Sequence, residues 1–155
     1  MKTLAHIAYL AAALCFALTF FDVVYQGASL VHFTGQELVT GTTFHRPFRI
    51  GPATLELGRI PALPVAQFAI AALAIAAGLF WLKGCAGNGI TCGLGAVAGL
   101  ALLLVRTQVG SEIAPRFPGT EIRYAGGYWC SLILVWLGIA LSGVTLMRKA
   151  GKSAP

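Results

Sequence analysis

Four long stretches of the sequence are almost entirely apolar and carry almost no charge. They comprise approximately residues 5–25, 64–82, 88–105 and 127–147. A helix needs about 17 to 25 apolar residues to cross the hydrocarbon core of a bilayer. Each stretch has that length, so the sequence predicts a mainly α-helical membrane protein in which four transmembrane helices form one bundle.

The composition agrees with a membrane protein. Hydrophobic residues make up 57% of the 155 residues and charged residues only 10%, whereas about 25% of the residues of a soluble domain are charged. With four spans, a chain of this length has room for a single domain over residues 1–155. The net charge of +6 comes from basic residues scattered over loops and helix ends. Because they form no patch with interleaved aromatic residues, we expect no nucleic-acid partner.

The distribution of charge predicts the orientation of the chain. If the N-terminus is cytoplasmic, the inner segments contain basic residues and no acid: Lys2, Lys83, Arg148, Lys149 and Lys152. All five acidic residues then lie outside: Asp22, Glu37, Glu56, Glu112 and Glu121. Short cytoplasmic segments are enriched in Lys and Arg. We therefore expect both termini in the cytoplasm of a bacterium, the spans in its inner membrane, and residues 26–63 and 107–126 outside.

The first outer loop, residues 26–63, has the residue pattern of a β structure. Short segments rich in β-branched and aromatic residues alternate with glycines, which is typical of strands joined by tight turns. The segments are Ser29–Thr34, Gln36–Thr40, Phe44–Ile50 and Thr54–Leu57, and Thr120–Tyr124 precedes the fourth apolar stretch as a further candidate. We predict a small antiparallel β-sheet in the first outer loop, to which the strand before the fourth helix can add.

Two segments carry a resemblance to known proteins: Phe33–Gly41 after the first stretch and Ile122–Tyr128 at the start of the fourth. With the layout described above, they resemble the claudin-like tetraspan architecture and its small bacterial four-span members. Claudins carry a Trp motif and a disulfide in the first outer loop, and this loop contains neither Trp nor Cys. The resemblance therefore implies a fold and not a role in cell junctions.

The apolar stretches contain small residues four positions apart, which lie on one helix face and allow helices to approach closely. The predicted packing residues are Gly89, Gly93, Gly95, Gly99, Gly138 and Ser142. Because most of them belong to the third stretch, we expect that helix at the centre of the bundle.

Asp22 and Arg106 lie at the outer ends of the first and third stretches, so the two side chains should have a similar depth in the membrane. An unpaired charge at the centre of the apolar region costs roughly 2.5 to 3.5 kcal/mol. We therefore predict a structural ion pair between Asp22 and Arg106. The alternative for Asp22 is a carboxylate that handles protons or ions.

Residues that carry chemistry are few. The sequence has no HExxH, CxxC, Ser-His-Asp order or phosphate-binding glycine loop, so we predict that the chain is not an enzyme. The spacing of Cys85 and Cys92 does not match a zinc site, and no histidine lies where a bundle would ligate haem. No cofactor is predicted, and a surface metal site formed by His32 and His45 is left open.

Two hypotheses for function remain. The first is a non-catalytic accessory or structural subunit of a larger membrane complex, in contact with membrane lipid and with other subunits or copies of itself. Its outer β loop would dock partners through His45, Arg46 and Arg49. The alternative is a quinone-, haem- or lipid-binding subunit of an electron-transfer or transport assembly.

Overall fold

The computed structural model describes residues 2–44, 47–50, 53–55, 58–79 and 85–150. In chain order the elements are α1 (Lys2–Leu14), β1 (Thr19–Tyr25), β2 (Ala28–Thr34), α2 (Gly35–Thr40), β3 (Thr42–Thr43), β4 (Phe48–Ile50), β5 (Ala53–Leu55), β6 (Arg59–Ile60), α3 (Pro64–Gly78), α4 (Cys85–Gln108), β7 (Glu121–Tyr124) and α5 (Gly126–Ala150). α4 continues through a π-helical turn, Val109–Ile113, and a 3₁₀ turn, Ala114–Arg116. The described residues are mostly helical with a small antiparallel sheet, as the sequence predicts.

The four long helices pack in a ring. α1 contacts α3 and α5, and α4 contacts the same two helices. Each helix contributes large buried side chains to the interior, including Tyr9, Leu73, Leu102 and Val135. The strands, α2 and their connections form an outer layer over one end of this ring, and its core side chains are continuous with those of the helices.

Two of the helices are long and apolar enough to cross a membrane: Gly87–Arg116 and Gly126–Arg148. The apolar helices Thr3–Ala17 and Pro64–Gly78 are shorter. At 1.5 Å per residue, the latter two span about 22 Å each. By length and composition, the two long apolar helices are consistent with association with a membrane.

The first apolar stretch is helical only in its first part. α1 ends at Leu14, the 3₁₀ turn Cys15–Ala17 follows, and Thr19–Tyr25 form β1. The prediction of one helix over residues 5–25 is therefore wrong in its last third. The segment TFFDVVY is rich in aromatic and β-branched residues, which favour strands. Because β1 is a central and largely buried strand, its apolar run is hard to distinguish from that of a helix.

β1 is the centre of a three-stranded antiparallel sheet with the order β2-β1-β7. A two-residue turn joins β1 to β2, and its residues Gln26 and Gly27 have positive φ angles of 48° and 83°, as a type I′ hairpin requires. The strands predicted at Ser29–Thr34 and Thr120–Tyr124 are confirmed as β2 and β7. The strand before the fourth helix thus adds to the sheet, as predicted.

The segment Gln36–Thr40, predicted as a strand, is part of helix α2. Thr34 Oγ1 accepts a hydrogen bond from the backbone N–H of Glu37 at 3.2 Å, and the Thr34 N–H donates to the Glu37 carboxylate at 2.8 Å. This capping box satisfies N–H groups that the first turn of a helix leaves unpaired. The local capping signal therefore overrides the strand propensity of the following residues.

Two short ribbons complete the outer layer: β3 pairs with β6, and β4 pairs with β5. Hydrogen bonds join this layer to α3. The Leu63 N–H donates to the carbonyl oxygen of Leu38 at 2.7 Å, and Gln67 Nε2 donates to that of Val39 at 2.9 Å. At the same helix end, Gln108 Oε1 accepts from the N–H of Val65 at 3.3 Å, so α4 caps the start of α3.

Candidate functional site

The exposed face of the three-stranded sheet carries a row of polar side chains. Asp22 of β1 lies opposite His32 of β2 and Arg123 of β7. Oδ1 of Asp22 is 2.7 Å from Nδ1 of His32, and these side chains are 28% and 64% exposed respectively. Arg123 forms an ion pair with Glu121 at 3.6 Å. The row faces solvent, where such pairs contribute only about 0 to 1 kcal/mol.

The predicted ion pair between Asp22 and Arg106 is not formed. The prediction assumed that both residues end a helix, but Asp22 lies in the middle of β1, where the register places it against β2 and β7. Its carboxylate contacts His32 instead. This position on the exposed face of the sheet also does not fit a proton pathway between the helices.

Ser29 adds a hydroxyl to the contact between His32 and Asp22. Its Oγ lies 3.5 Å from Nδ1 of His32, the same ring nitrogen that contacts Asp22. A catalytic triad uses the two ring nitrogens separately, one for the hydroxyl and one for the carboxylate. These three residues therefore form a polar contact across the β1–β2 hairpin and lack the geometry of a triad.

Arg106 lies near the outer end of α4, over aromatic rings. Its guanidinium carbon is 4.9 Å from the ring centre of Tyr124 and 6.0 Å from that of Trp129, within the range of cation–π attraction. The Tyr124 hydroxyl donates a hydrogen bond to the carbonyl oxygen of Arg106 at 3.4 Å. Burial raises the pKa of Tyr124, and the charge of Arg106 opposes that rise. These contacts join β7 to α4 and α5.

Tyr9 of α1 fills a slot between α4 and α5. A Cβ atom added to Gly95 would lie 2.7 Å from Cε1 of the Tyr9 ring, and one added to Gly138 would lie 2.6 Å from the same atom. Buried Ser142 lies beside the Tyr9 hydroxyl, although that hydroxyl has no hydrogen-bond partner among the described residues. Three of the predicted packing residues therefore surround one aromatic side chain.

The other predicted packing residues lie on α4. A Cβ atom on Gly99 would be 3.3 Å from Cγ1 of Val135 of α5, which is a close helix contact. At Gly89 and Gly93 the added atom would meet no described atom within 4 Å. α4 therefore approaches α5 closely at Gly99, and Gly89 and Gly93 leave open space.

Neither aromatic contact was predicted from the sequence. Tyr9 was not among the predicted packing residues, although a lone aromatic ring in the alanine-rich α1 needs small residues on the helices it meets. Arg106 was paired with a carboxylate, and its contacts with Tyr124 of β7 and Trp129 of α5 were not predicted. Aromatic residues flanking an apolar stretch are the signal that could have identified the second contact.

The predicted docking residues lie in the outer layer. Arg49 belongs to β4, opposite Thr54 of β5, and its side chain is exposed. His45 and Arg46 lie outside the described residues, and so does any metal site shared by His45 and His32. Within the described ranges, no three or more His, Cys, Asp or Glu side chains are grouped as metal ligands.

An apolar groove of about 460 Å³ runs between α1 and α3. Its lining consists of Thr3, His6, Ile7, Leu10, Ala13, Ala74, Ala77 and Gly78. His6 is only 5% exposed, and its Nδ1 lies 2.8 Å from the carbonyl oxygen of Ala76. Because a carbonyl oxygen can only accept, Nδ1 carries the proton of this hydrogen bond. The groove is thus an apolar surface with one anchored imidazole in its wall.

The outward faces of all four long helices are apolar. Their exposed large side chains are Leu4, Ile7, Leu10 and Leu14 of α1, Phe68 and Ile75 of α3, Ile90, Val97, Leu100, Leu103 and Leu104 of α4, and Trp129, Ile133, Trp136, Leu137, Val144 and Met147 of α5. We call this surface the apolar belt. An exposed apolar surface this extensive is typical of contact with a membrane or another protein.

Comparison with known proteins identifies no relative. No protein-family model matches the chain, and no match was found among curated proteins or solved structures. The candidate sites are therefore interpreted from their own geometry.

Proposed function

We propose that the chain is a non-catalytic integral membrane protein with four spans, and that it is an accessory or structural subunit that docks other membrane proteins through its outer layer. The observation that carries this proposal is the apolar belt, because it surrounds the short helices α1 and α3 as well as the two long ones. A water-soluble helix bundle would present polar side chains on these faces.

The lengths of α1 and α3 are compatible with spanning. α1 covers about 20 Å and α3 about 22 Å, against roughly 30 Å for a typical hydrocarbon core. The exposed stripe of α1 continues past the helix to Leu18, which extends its apolar surface. A bilayer adapts to the remaining difference by thinning locally, at a cost of fractions of a kcal/mol per Å. The layout of four helices with an outer sheet also resembles the claudin-like tetraspan architecture.

Charge favours one orientation in a bacterial inner membrane. The outer layer carries the described acidic residues, whereas Arg148 and Lys149 follow the end of the α5 span without a nearby acid. The positive-inside rule then places both termini in the cytoplasm. The outer layer faces the periplasm in this orientation.

The outer layer offers a cationic docking surface. Arg49, Arg59 and Arg116 are exposed, and none of them belongs to the ion pairs formed by the described residues. Arg116 Nη1 donates a hydrogen bond to the backbone carbonyl oxygen of Arg59 at 3.4 Å, so the Arg116 side chain lies against the backbone of β6. With His45 and Arg46 on the same loop, this surface suits an acidic face of a membrane-protein partner, since complementary charge sets recognition and association rate.

The docking surface can be tested by reversing its charge. We expect the double substitution Arg49→Glu and Arg59→Glu to lower the amount of co-purifying partner by about tenfold or more, because charge reversal adds repulsion to the lost attraction. The matched control, Arg49→Lys with Arg59→Lys, retains the charge and should retain the partner. Quantitative mass spectrometry of complexes extracted in mild detergent provides the measurement. A partner that stays bound to the charge-reversed variant contradicts docking by this surface.

The groove between α1 and α3 supports a second candidate function. A volume of about 460 Å³ is sufficient for a small ligand, and His6 supplies a polar group in an otherwise apolar wall. A quinone, haem or lipid held there would make the chain a ligand-binding subunit of an electron-transfer or transport assembly. A visible spectrum of the purified protein detects a bound haem, because haem absorbs where the polypeptide does not. Extraction with organic solvent followed by mass spectrometry detects a bound quinone or lipid, and absence of all three ligands contradicts this second function.

A further inference from the structure

We propose that Arg106, together with Tyr124 and Trp129, binds the phosphate of an anionic phospholipid in the outer leaflet of the membrane. This inference rests on the four-span embedding proposed above. It concerns a lipid site on the bundle and not the protein-docking surface of the outer layer.

Arg106 is a cation without a carboxylate partner. The ion pairs among the described residues do not include it, and the four described acids are engaged elsewhere: Asp22 with His32, Glu37 with Thr34, Glu112 with Gln108, and Glu121 with Arg123. Its side chain is exposed. A guanidinium near the membrane surface is therefore available for an anion from outside the chain.

The guanidinium of Arg106 has hydrogen-bond donors for a phosphate in addition to its aromatic contacts. Its central carbon lies 4.9 Å from the ring centre of Tyr124, and a guanidinium presents five N–H donors in its plane. These donors match the oxygens of a phosphate in a bidentate arrangement. The Tyr124 hydroxyl also donates a hydrogen bond to the Arg106 carbonyl oxygen, which holds Tyr124 beside Arg106.

An apolar path for an acyl chain begins directly below this group. On α4, Leu103 and Leu104 are exposed within one turn of Arg106; on α5, Trp129, Ile133 and Trp136 form a stripe with exposures of 44%, 64% and 48%. Trp136 reaches across to α4, where its Cε2 would lie 3.9 Å from a Cβ atom on Gly99. The stripe from Trp129 to Trp136 is about 10 Å long. A phosphate at Arg106 can therefore place its lipid tail along the junction of α4 and α5.

The local charge favours an anionic lipid over a zwitterionic one. In a zwitterionic headgroup the phosphate already has a cationic partner, which the lone Arg106 would repel. A headgroup such as that of phosphatidylglycerol brings a phosphate with no competing cation. Aromatic residues with Arg at a membrane interface also match the headgroup level.

Fluorescence quenching tests the site in a protein with unaltered Arg106. The variant Trp81→Phe with Trp136→Phe keeps Trp129 as its only tryptophan and is reconstituted in bilayers that contain a fixed fraction of brominated lipid. We expect brominated phosphatidylglycerol to quench Trp129 at least about twofold more than brominated phosphatidylcholine, because the anionic lipid is enriched at Arg106. Equal quenching by both lipids overturns the proposal while leaving the embedding intact. Absence of quenching by either lipid overturns the embedding as well.

Substitution of Arg106 provides the second test. Binding of phosphatidylglycerol to the protein in detergent, followed by native mass spectrometry, should weaken by about tenfold or more in Arg106→Gln, since hydrogen bonds to charged groups account for such factors. The control Arg123→Gln changes an arginine of the same outer end and should bind normally. An equal effect of both substitutions, or none, overturns the site. Displacement of the lipid by millimolar inorganic phosphate would assign the site to free phosphate and overturn the lipid.

Discussion

At the scale of single residues, the bundle is organised around an aromatic ring and two glycines. Tyr9 is fully buried, and its ring occupies the space that side chains at Gly95 and Gly138 would need. Because Gly95 and Gly138 have no side chain, the Tyr9 ring fits between α4 and α5, and this contact positions α1. Small residues in membrane helices usually allow close contact between two helix backbones. Here α4 and α5 each supply a glycine that makes room for the Tyr9 ring of α1.

This arrangement predicts a difference between two glycines of the same helix. Gly95→Ala should destabilise the protein by about 1 to 3 kcal/mol, because the new methyl group overpacks the Tyr9 slot. Gly93→Ala, where an added Cβ meets open space, should be neutral or slightly stabilising, because Ala favours the helix. Thermal unfolding in detergent, followed by circular dichroism, measures both variants. Equal melting temperatures would show that Tyr9 does not occupy the slot.

The outcome for Asp22 and Arg106 shows which residue contacts the sequence could reveal. The sequence shows that both residues stand near the outer ends of apolar stretches. The partner of Asp22 depends on the register of β1 with β2 and β7, and β7 lies about a hundred positions from β1 in the chain. Hydropathy contains no information about register. The contact between Asp22 and His32 was therefore not predictable from the sequence.

At the scale of elements, the predictions are confirmed where composition and periodicity agree. α4, α5, β2 and β7 lie close to their predicted positions. The prediction is wrong at β1, whose apolar residues continue those of α1 without a break, because a buried strand and a buried helix have the same hydropathy. The prediction of a strand is also wrong at α2, where the capping pair Thr34 and Glu37 is present in the sequence.

The capping box of α2 gives a prediction at this scale. Thr34→Ala should lower the free energy of unfolding by about 0.5 to 2 kcal/mol, because the Glu37 N–H loses its acceptor. Thr34→Ser is the matched control, since it keeps the hydroxyl oxygen and should retain most of the stability. Thermal unfolding in detergent compares the two variants. If the Ala and Ser variants melt together, the side chain of Thr34 does not stabilise α2.

At the scale of the whole molecule, the layout of four helices and one β layer follows from the sequence, and the activity does not. Apolar length predicts the helices, and turn chemistry predicts the sheet. The groove beside His6 and the cluster around Arg106 arise from contacts between elements distant in the chain. Neither contains a motif that can be recognised in the sequence. The groove is mainly apolar, and the cluster consists of residues that are common at membrane interfaces.

The proposed topology predicts which positions are accessible from outside the cell. In a variant without native cysteines, Ser29→Cys on exposed β2 should react with a membrane-impermeant thiol reagent in intact spheroplasts. Ser153→Cys near the C-terminus should react only after the membrane is permeabilised, because the positive-inside rule places it in the cytoplasm. Labelling of Ser153→Cys in intact spheroplasts would contradict the proposed orientation.

The slot for Tyr9 also sets an order of events during biosynthesis. α1 leaves the ribosome before α4 and α5, the helices that receive its aromatic ring. At translation rates of roughly 5 to 20 residues per second, α1 waits on the order of ten seconds for its neighbour. β1 waits equally long for β7. In the proposed topology, α1 and β1 therefore cannot complete their packing until β7 and α5 have been made.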